Sequence, residues 1–227
     1  MNRLAACCLC FFSATSARAA EPPASVCFGT PENGRLENGW KLPDRGDNFS
    51  SYSKVGPLLG RTYVHSAVHR TTMDAYGALF AARPKTVYVV GETGKREGGE
   101  FRPHETHRNG LSVDFMVPVL DQNGASVPLP MSVFNKYGYG IEFSEAGVFE
   151  NIRIDFEALA DHLLALNAAA KAGGIGIRRV IFDSELQKPL FKTPKGARLR
   201  KELVFSTFKP WVRHDEHYHV DFAVDCR

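Results

Sequence analysis

The run DFEALADHLLALNAAAKAGG, residues 155–174, is followed almost at once by IRRVIF, residues 177–182. In the first run Phe156, Leu159, Ala160, Leu163, Leu166 and Ala170 recur at helical spacing, and Gly173-Gly174 closes the pattern. The second is short, apolar and β-branched, which reads as a strand. Working outward, residues 86–90 (TVYVV), 111–119 and 218–224 also read as strands. Ser66 is placed to cap a helix that carries Val68, Ala75 and Leu79 on one face and stops before Pro84. Residues 184–191 suit a short helix, residues 91–104 a glycine-rich loop, and residues 128–140 a series of turns. Helices mix with strands, yet no glycine-rich nucleotide fingerprint follows a strand. The pattern therefore predicts an α+β domain, a central antiparallel sheet flanked by helices, rather than a doubly wound fold.

The 227 residues are 44% hydrophobic and 23% charged, enough apolar material for one globular core. A formal charge of +3 without a basic run argues against a nucleic-acid partner. The first residues read as a separate object. Arg3 precedes a brief apolar run, and Ala17-Arg18-Ala19 supplies a small-x-small cleavage pattern. Residues 1–19 are thus expected to be a secretory signal, residues 20–60 an irregular wrap rich in Gly, Pro, Asn and Ser, and residues 61–227 the main globular domain. Leu4-Ala5-Ala6-Cys7 has the look of a lipoprotein box, which leaves lipidation at Cys7 open. No stretch after the signal is apolar enough for a transmembrane helix. Export to the periplasm or beyond follows. Cys7, Cys8 and Cys10 fall in the signal, leaving Cys27 and Cys226. In an oxidising compartment these two suit one disulfide, worth roughly 4–5 kcal/mol for so long a loop. Two buried thiols are the alternative.

Five of the eight histidines fall in two clusters. The first contains His104, His107 and, one strand later, Asp114, with Gly110 permitting the turn between. The second contains His214, His217 and His219. Residues two apart on a strand share a face, so His217 and His219 point into one space. Two strands and a loop can bring His107, Asp114 and His219 together as three ligands, leaving one position for water, as catalytic zinc sites do. The oxygen and nitrogen donors admit Zn, Mn, Co or Ni, with zinc the first choice for hydrolysis. Asp215 and Asp221 either orient an imidazole or are solvated acids. Arg102 and Arg108 either recognise carboxylates or are surface charge. Trp211 and Tyr218 suit packing better than a groove wall, and His65, His69 and His162 read as structural. Glu100, Glu105 and Asp183 have no spacing that links them to the site.

With these motifs the chain resembles the penicillin-insensitive murein endopeptidases, within the LAS group of zinc peptidases and its hedgehog-like fold. The resemblance rests on Gly29-Thr30-Pro31, on Tyr63-Val64-His65 and on His104-x-x-His107-x-x-Gly110-Leu111-x-Val113-Asp114. It continues through residues 179–182 and Lys209-Pro210-Trp211 into His214-x-x-His217-x-His219-Val220. It implies one zinc ion per chain on His107, Asp114 and His219. It implies a catalytic His217, with His104 and His214 lining the site; His104 is a further candidate ligand. It also implies cleavage of the D-alanyl–diaminopimelate cross-link in peptidoglycan. The segment from Asp114 to Asp155 carries no resemblance and contributes no site residue. Glu216 stands three residues before His219, the spacing of the base in related D-Ala-D-Ala peptidases, so Glu216 and His217 are rival bases and His214 an assistant. A D,D-carboxypeptidase acting on stem peptides and a non-catalytic, metal-containing peptidoglycan-binding module remain the alternatives.

Overall fold

The computed structural model describes residues 21–207 and 212–227. The expected signal sequence with Cys7, Cys8 and Cys10, and the segment Lys209-Pro210-Trp211, lie outside the described residues. In chain order the elements begin with β1 (Val26–Gly29), β2 (Gly34–Glu37), β3 (Trp40–Lys41), β4 (Phe49–Ser51), α1 (Val55–Leu58) and β5 (Tyr63–Val64). Then come α2 (Ser66–Ala82), β6 (Tyr88–Val90), β7 (Ser112–Met116), β8 (Val119–Leu120), β9 (Ser126–Val127) and a 3-10 turn over Val133–Gly138. The chain ends with β10 (Val148–Phe149), β11 (Ile152–Ile154), α3 (Phe156–Ala172), β12 (Gly176–Ile181), α4 (Ser184–Lys192), α5 (Gly196–Glu202) and β13 (His217–Ala223).

A five-stranded sheet in the order β12-β13-β7-β6-β4 forms the centre. Its pairs are antiparallel except β4 with β6, which run parallel. The α+β expectation stands, with that one edge pair as its exception. The strand pleat sorts the side chains. On β7 and β13, Val113, Phe115, Tyr218, Val220 and Phe222 turn to one face and join the apolar core. Helices α2 and α3 supply Val68, Ala75, Tyr76, Leu159, Leu163 and Leu166 to the same core. Ser112, Asp114, His217, His219 and Asp221 alternate with them and take the opposite face, buried but polar. The loop carrying His104 and His107 and the segment carrying Tyr139 reach Asp114 on that face.

Two local readings need correction. Ser66 does not cap α2: the ring Nδ1 of His65 accepts the Ala67 N–H, while the Ser66 hydroxyl accepts from the Ser25 N–H. Residues 21–60 are not simply an irregular wrap. They hold four strands, β4 extends the central sheet, and Leu42, Phe49 and Tyr52 are core residues. Short strands among glycines and prolines carry too little periodicity to be told from loop. The disulfide forms as expected between Cys27 and Cys226, and Arg227 hydrogen-bonds the backbone of Cys27 and Gly29, so the C-terminus is tied to β1.

Candidate metal centre

The register of β7 against β13 sets His219 directly opposite Asp114 and Asp221 opposite Ser112. Side chains opposed in this way on one face lie within contact distance. His219 Nδ1 lies 2.9 Å from Asp114 Oδ1, and its Nε2 donates to Asp221 Oδ1 at 2.8 Å. Asp221 is fully buried, held also by Ser112 and by Arg179 from β12. It therefore orients an imidazole and is not a solvated acid. Asp215 is buried too, but it accepts from the Phe143 N–H, pairs with Arg213 and hydrogen-bonds no imidazole among the described residues.

His107 arrives from the loop. Its φ of 66° is left-handed, a conformation that histidine tolerates better than bulky or branched residues. Gly110, with φ 76°, makes the turn into β7; a Cβ there would lie 2.8 Å from the His65 nitrogen. His107 Nδ1 donates to the Thr93 carbonyl at 2.9 Å, so Nε2 carries the lone pair in the neutral ring. That Nε2 is 3.2 Å from Asp114 Oδ1, is buried and has no hydrogen-bond donor. A buried acceptor without a partner is costly, and a cation satisfies it.

His104 Nε2 is 2.6 Å from Glu92 Oε2, which leaves Nδ1 to face Asp114 Oδ2 at 3.9 Å. Glu92 also accepts from Tyr52 and from both sides of the Arg61 guanidinium. Burial opposes its ionisation, but the bonds from Arg61, His104 and Tyr52 hold it down to about 2. Arg61 stacks on Phe101 and donates to the Arg102 carbonyl, which anchors the loop carrying His104. Arg102 itself is exposed and reaches Glu100.

His217 Nε2 faces Asp114 Oδ2 at 3.9 Å, and its Nδ1 bonds Glu216 Oε1 at 2.8 Å. Glu216 thus stands behind His217 rather than beside Asp114. Burial pushes Glu216 up to about 8 and His217 down to about 4. The His214 ring centre lies 4.6 Å from that of His217, its Nδ1 donates to the Val212 carbonyl, and burial lowers it to about 3. Neutral His214 has its one N–H committed to the Val212 carbonyl and presents the Nε2 lone pair.

Two overlapping donor sets result. The donor atoms of His104, His107 and Asp114 lie within 4.8 Å of one another and could hold a metal ion. His219 Nδ1 approaches the same Asp114 oxygen as His107 Nε2, and the two rings meet edge-on with centroids 4.7 Å apart. Between two carboxylates His219 has an unusual balance: burial opposes its charge, but the Asp221 and Asp114 partners push it up to about 10. A metal ion and a proton compete for its Nδ1 lone pair. Imidazole nitrogens around a carboxylate, with no thiolate, fit a divalent transition metal.

The family model for penicillin-insensitive murein endopeptidase matches residues 27–226. The chain belongs to that family. Membership marks it as a peptidase of murein, the cell-wall peptidoglycan. A search of curated proteins returned no match. Within this murein endopeptidase framework the six residues singled out by their clustering, His104, His107, Asp114, His214, His217 and His219, converge on one face of the sheet. A separate groove lined by Arg83, Lys85, Ser126 and Arg153 holds none of them. Glu100, Glu105 and Asp183 stay out of the site; Asp183 caps α4 and pairs with Arg213.

Two polar neighbours were missed. Glu92 follows an apolar strand within the glycine-rich loop, which was a usable signal. Tyr139 comes from the unfamiliar segment after Asp114: its hydroxyl donates to Asp114 Oδ2 at 3.1 Å and accepts the Glu92 N–H at 2.8 Å. The run Tyr137-Gly138-Tyr139-Gly140 marks an unusual turn, but no spacing ties it to Asp114. No helix among the described residues is long and apolar enough to cross a membrane.

Proposed function

We propose that this chain is a zinc-dependent endopeptidase that hydrolyses D-alanyl–diaminopimelate cross-links of peptidoglycan in the periplasm or outside the cell. The observation that carries the reading is the bare, buried Nε2 of His107 sharing one Asp114 oxygen with His219 Nδ1. His107, Asp114 and His219 would hold the ion, with His104 Nδ1 at the margin. Once bound, zinc acidifies water towards a pKa of about 7 and polarises the scissile carbonyl.

His217 is the proposed base. Its Nε2 takes the proton of the attacking water and returns it to the leaving amine. Glu216, when ionised, accepts the Nδ1 proton of His217 and stabilises the charge that the ring gains. Its place behind His217 favours a supporting role over that of base, which removes the support that the spacing lent to a carboxypeptidase. His214, as a lone-pair acceptor beside His217, assists in holding water. The disulfide supports an oxidising location.

The test is digestion of purified cross-linked muropeptide dimers by zinc-loaded protein, read by chromatography and mass spectrometry. Monomers are expected, and EDTA should abolish their release. Free D-alanine with intact cross-links would point to the carboxypeptidase. Wall binding without turnover would point to the non-catalytic module. Cleavage that survives chelation would sink the metal assignment.

A further inference from the structure

Asp114 is the residue that both donor sets share, and its two oxygens have different company. Oδ1 meets His107 Nε2 and His219 Nδ1, whereas Oδ2 receives the hydroxyl of Tyr139. The donor direction is fixed. The Glu92 N–H already occupies the Tyr139 oxygen as a donor, so the hydroxyl proton is free to go to the carboxylate. Glu92 also accepts the Asp114 N–H through its carbonyl, so one residue anchors both ends of the contact.

The chain is shaped to deliver this hydroxyl. Lys136, Tyr137 and Gly138 are successive left-handed residues, with φ of 52°, 58° and 102°, and they turn the backbone sharply just before Tyr139. The Tyr139 ring then packs edge-on against Tyr52 and beside His217, with centroids 5.9 and 5.0 Å apart. Gly91, at the end of β6, leaves the necessary room. A Cβ on Gly91 would lie 2.7 Å from the Tyr139 oxygen and 3.0 Å from Asp114 Cβ.

We infer that Tyr139 is a positioning residue that pins Asp114 Oδ2 and so reserves Oδ1 for the cation, and that Gly91 is kept without a side chain to admit the hydroxyl. This rests on the metal-centre reading above. Without the bond, the carboxylate can rotate and offer both oxygens, so the centre loses its preset arrangement. Hydrogen-bond partners of metal-ligating groups are worth roughly 10–100-fold in metal affinity.

Tyr139→Phe removes the hydroxyl and keeps the ring. The full mature chain, its Tyr139→Phe variant and its Gly91→Ala variant would be compared by zinc competition against a chromogenic chelator, and by the visible spectrum of the cobalt(II)-loaded protein. Tyr139→Phe should bind zinc about tenfold or more weakly. Its cobalt absorption should weaken as a second Asp114 oxygen joins the ion, a signature that a purely structural role would not produce. Gly91→Ala should give the same loss by displacing the hydroxyl, and the double variant should be no worse than Tyr139→Phe. Wild-type zinc affinity and an unchanged cobalt spectrum in Tyr139→Phe would overturn the inference and leave the metal centre standing. Failure of the wild-type chain to bind either ion would bring down the centre and the inference with it. Should Tyr139→Phe fail to fold, Gly91→Ala decides between the same outcomes.

Discussion

His162 and His219 lie on opposite sides of one sheet, 0% and 3% exposed, yet their affinities for a proton move in opposite directions. Burial alone lowers His162 to about 3. His219 is pushed up to about 10 despite burial, because it sits between Asp221 and Asp114. His162 has aromatic neighbours instead: Tyr76 and Tyr88 stack on it, Phe115 meets it edge-on, and its Nδ1 bonds the Tyr218 hydroxyl. Tyr218 stands between His217 and His219, so a step of one residue along β13 separates a core contact from the candidate metal centre. The depth of a histidine says little about its chemistry; the charge of its neighbours says most of it.

The sharpest way to break this contrast is to remove the imidazole on the polar face. His219→Ala should cost roughly 10³-fold or more in muropeptide cleavage, because several kcal/mol of charge stabilisation depends on the cation that we propose it helps to hold. Its far-UV circular dichroism should stay that of a folded protein, since His219 contributes nothing to the apolar core. An active His219→Ala would remove this residue from the site.

The opposite face should reveal itself through pH. His162 is held neutral in the folded chain, while in the unfolded chain it titrates near its ordinary value of about 6.5. Between those two values the unfolded state binds the extra proton, so stability is full above the unfolded value and falls as the pH drops towards 3. From pH 7 to pH 4.5 the loss from this one group is about 2–3 kcal/mol. Urea titrations at the two pH values should show that His162→Leu removes this share of the slope. An identical slope in both proteins would mean that His162 is not held neutral.

A smaller effect sharpens the polar side. Asp221→Asn keeps the size of the side chain but removes the charge that accepts from His219 Nε2. Zinc affinity should fall by about 10–100-fold. Isothermal titration would measure it, and an unchanged affinity would show that Asp221 serves only the Ser112 and Arg179 contacts.

Much of this arrangement was legible beforehand. The long helix from Asp155, the strands around residues 86–90, 112–116 and 177–181, and the histidine clusters all have local signatures. The i, i+2 rule placed His217 and His219 on one face, and their strand bears it out. Residues 49–51 were not recognised as a strand, because three residues carry no period to detect and only pairing with β6 makes them one. The His65 cap was missed because imidazole is an uncommon cap, chosen here by its contact with α2. Glu216 stood as a rival to His217 on spacing alone; its contact with the His217 ring required coordinates.

The alternation of side chains along β13, the loop that precedes His107 and the even pair of cysteines were determined by the order of residues, because periodicity and turn chemistry act over a few positions. The register that faces His219 with Asp114, the buried anchors Glu92 and Asp221, and the approach of Tyr139 were decided only when distant segments packed. Such contacts depend on where nonlocal strands and loops come to rest, and no short spacing in a chain encodes that.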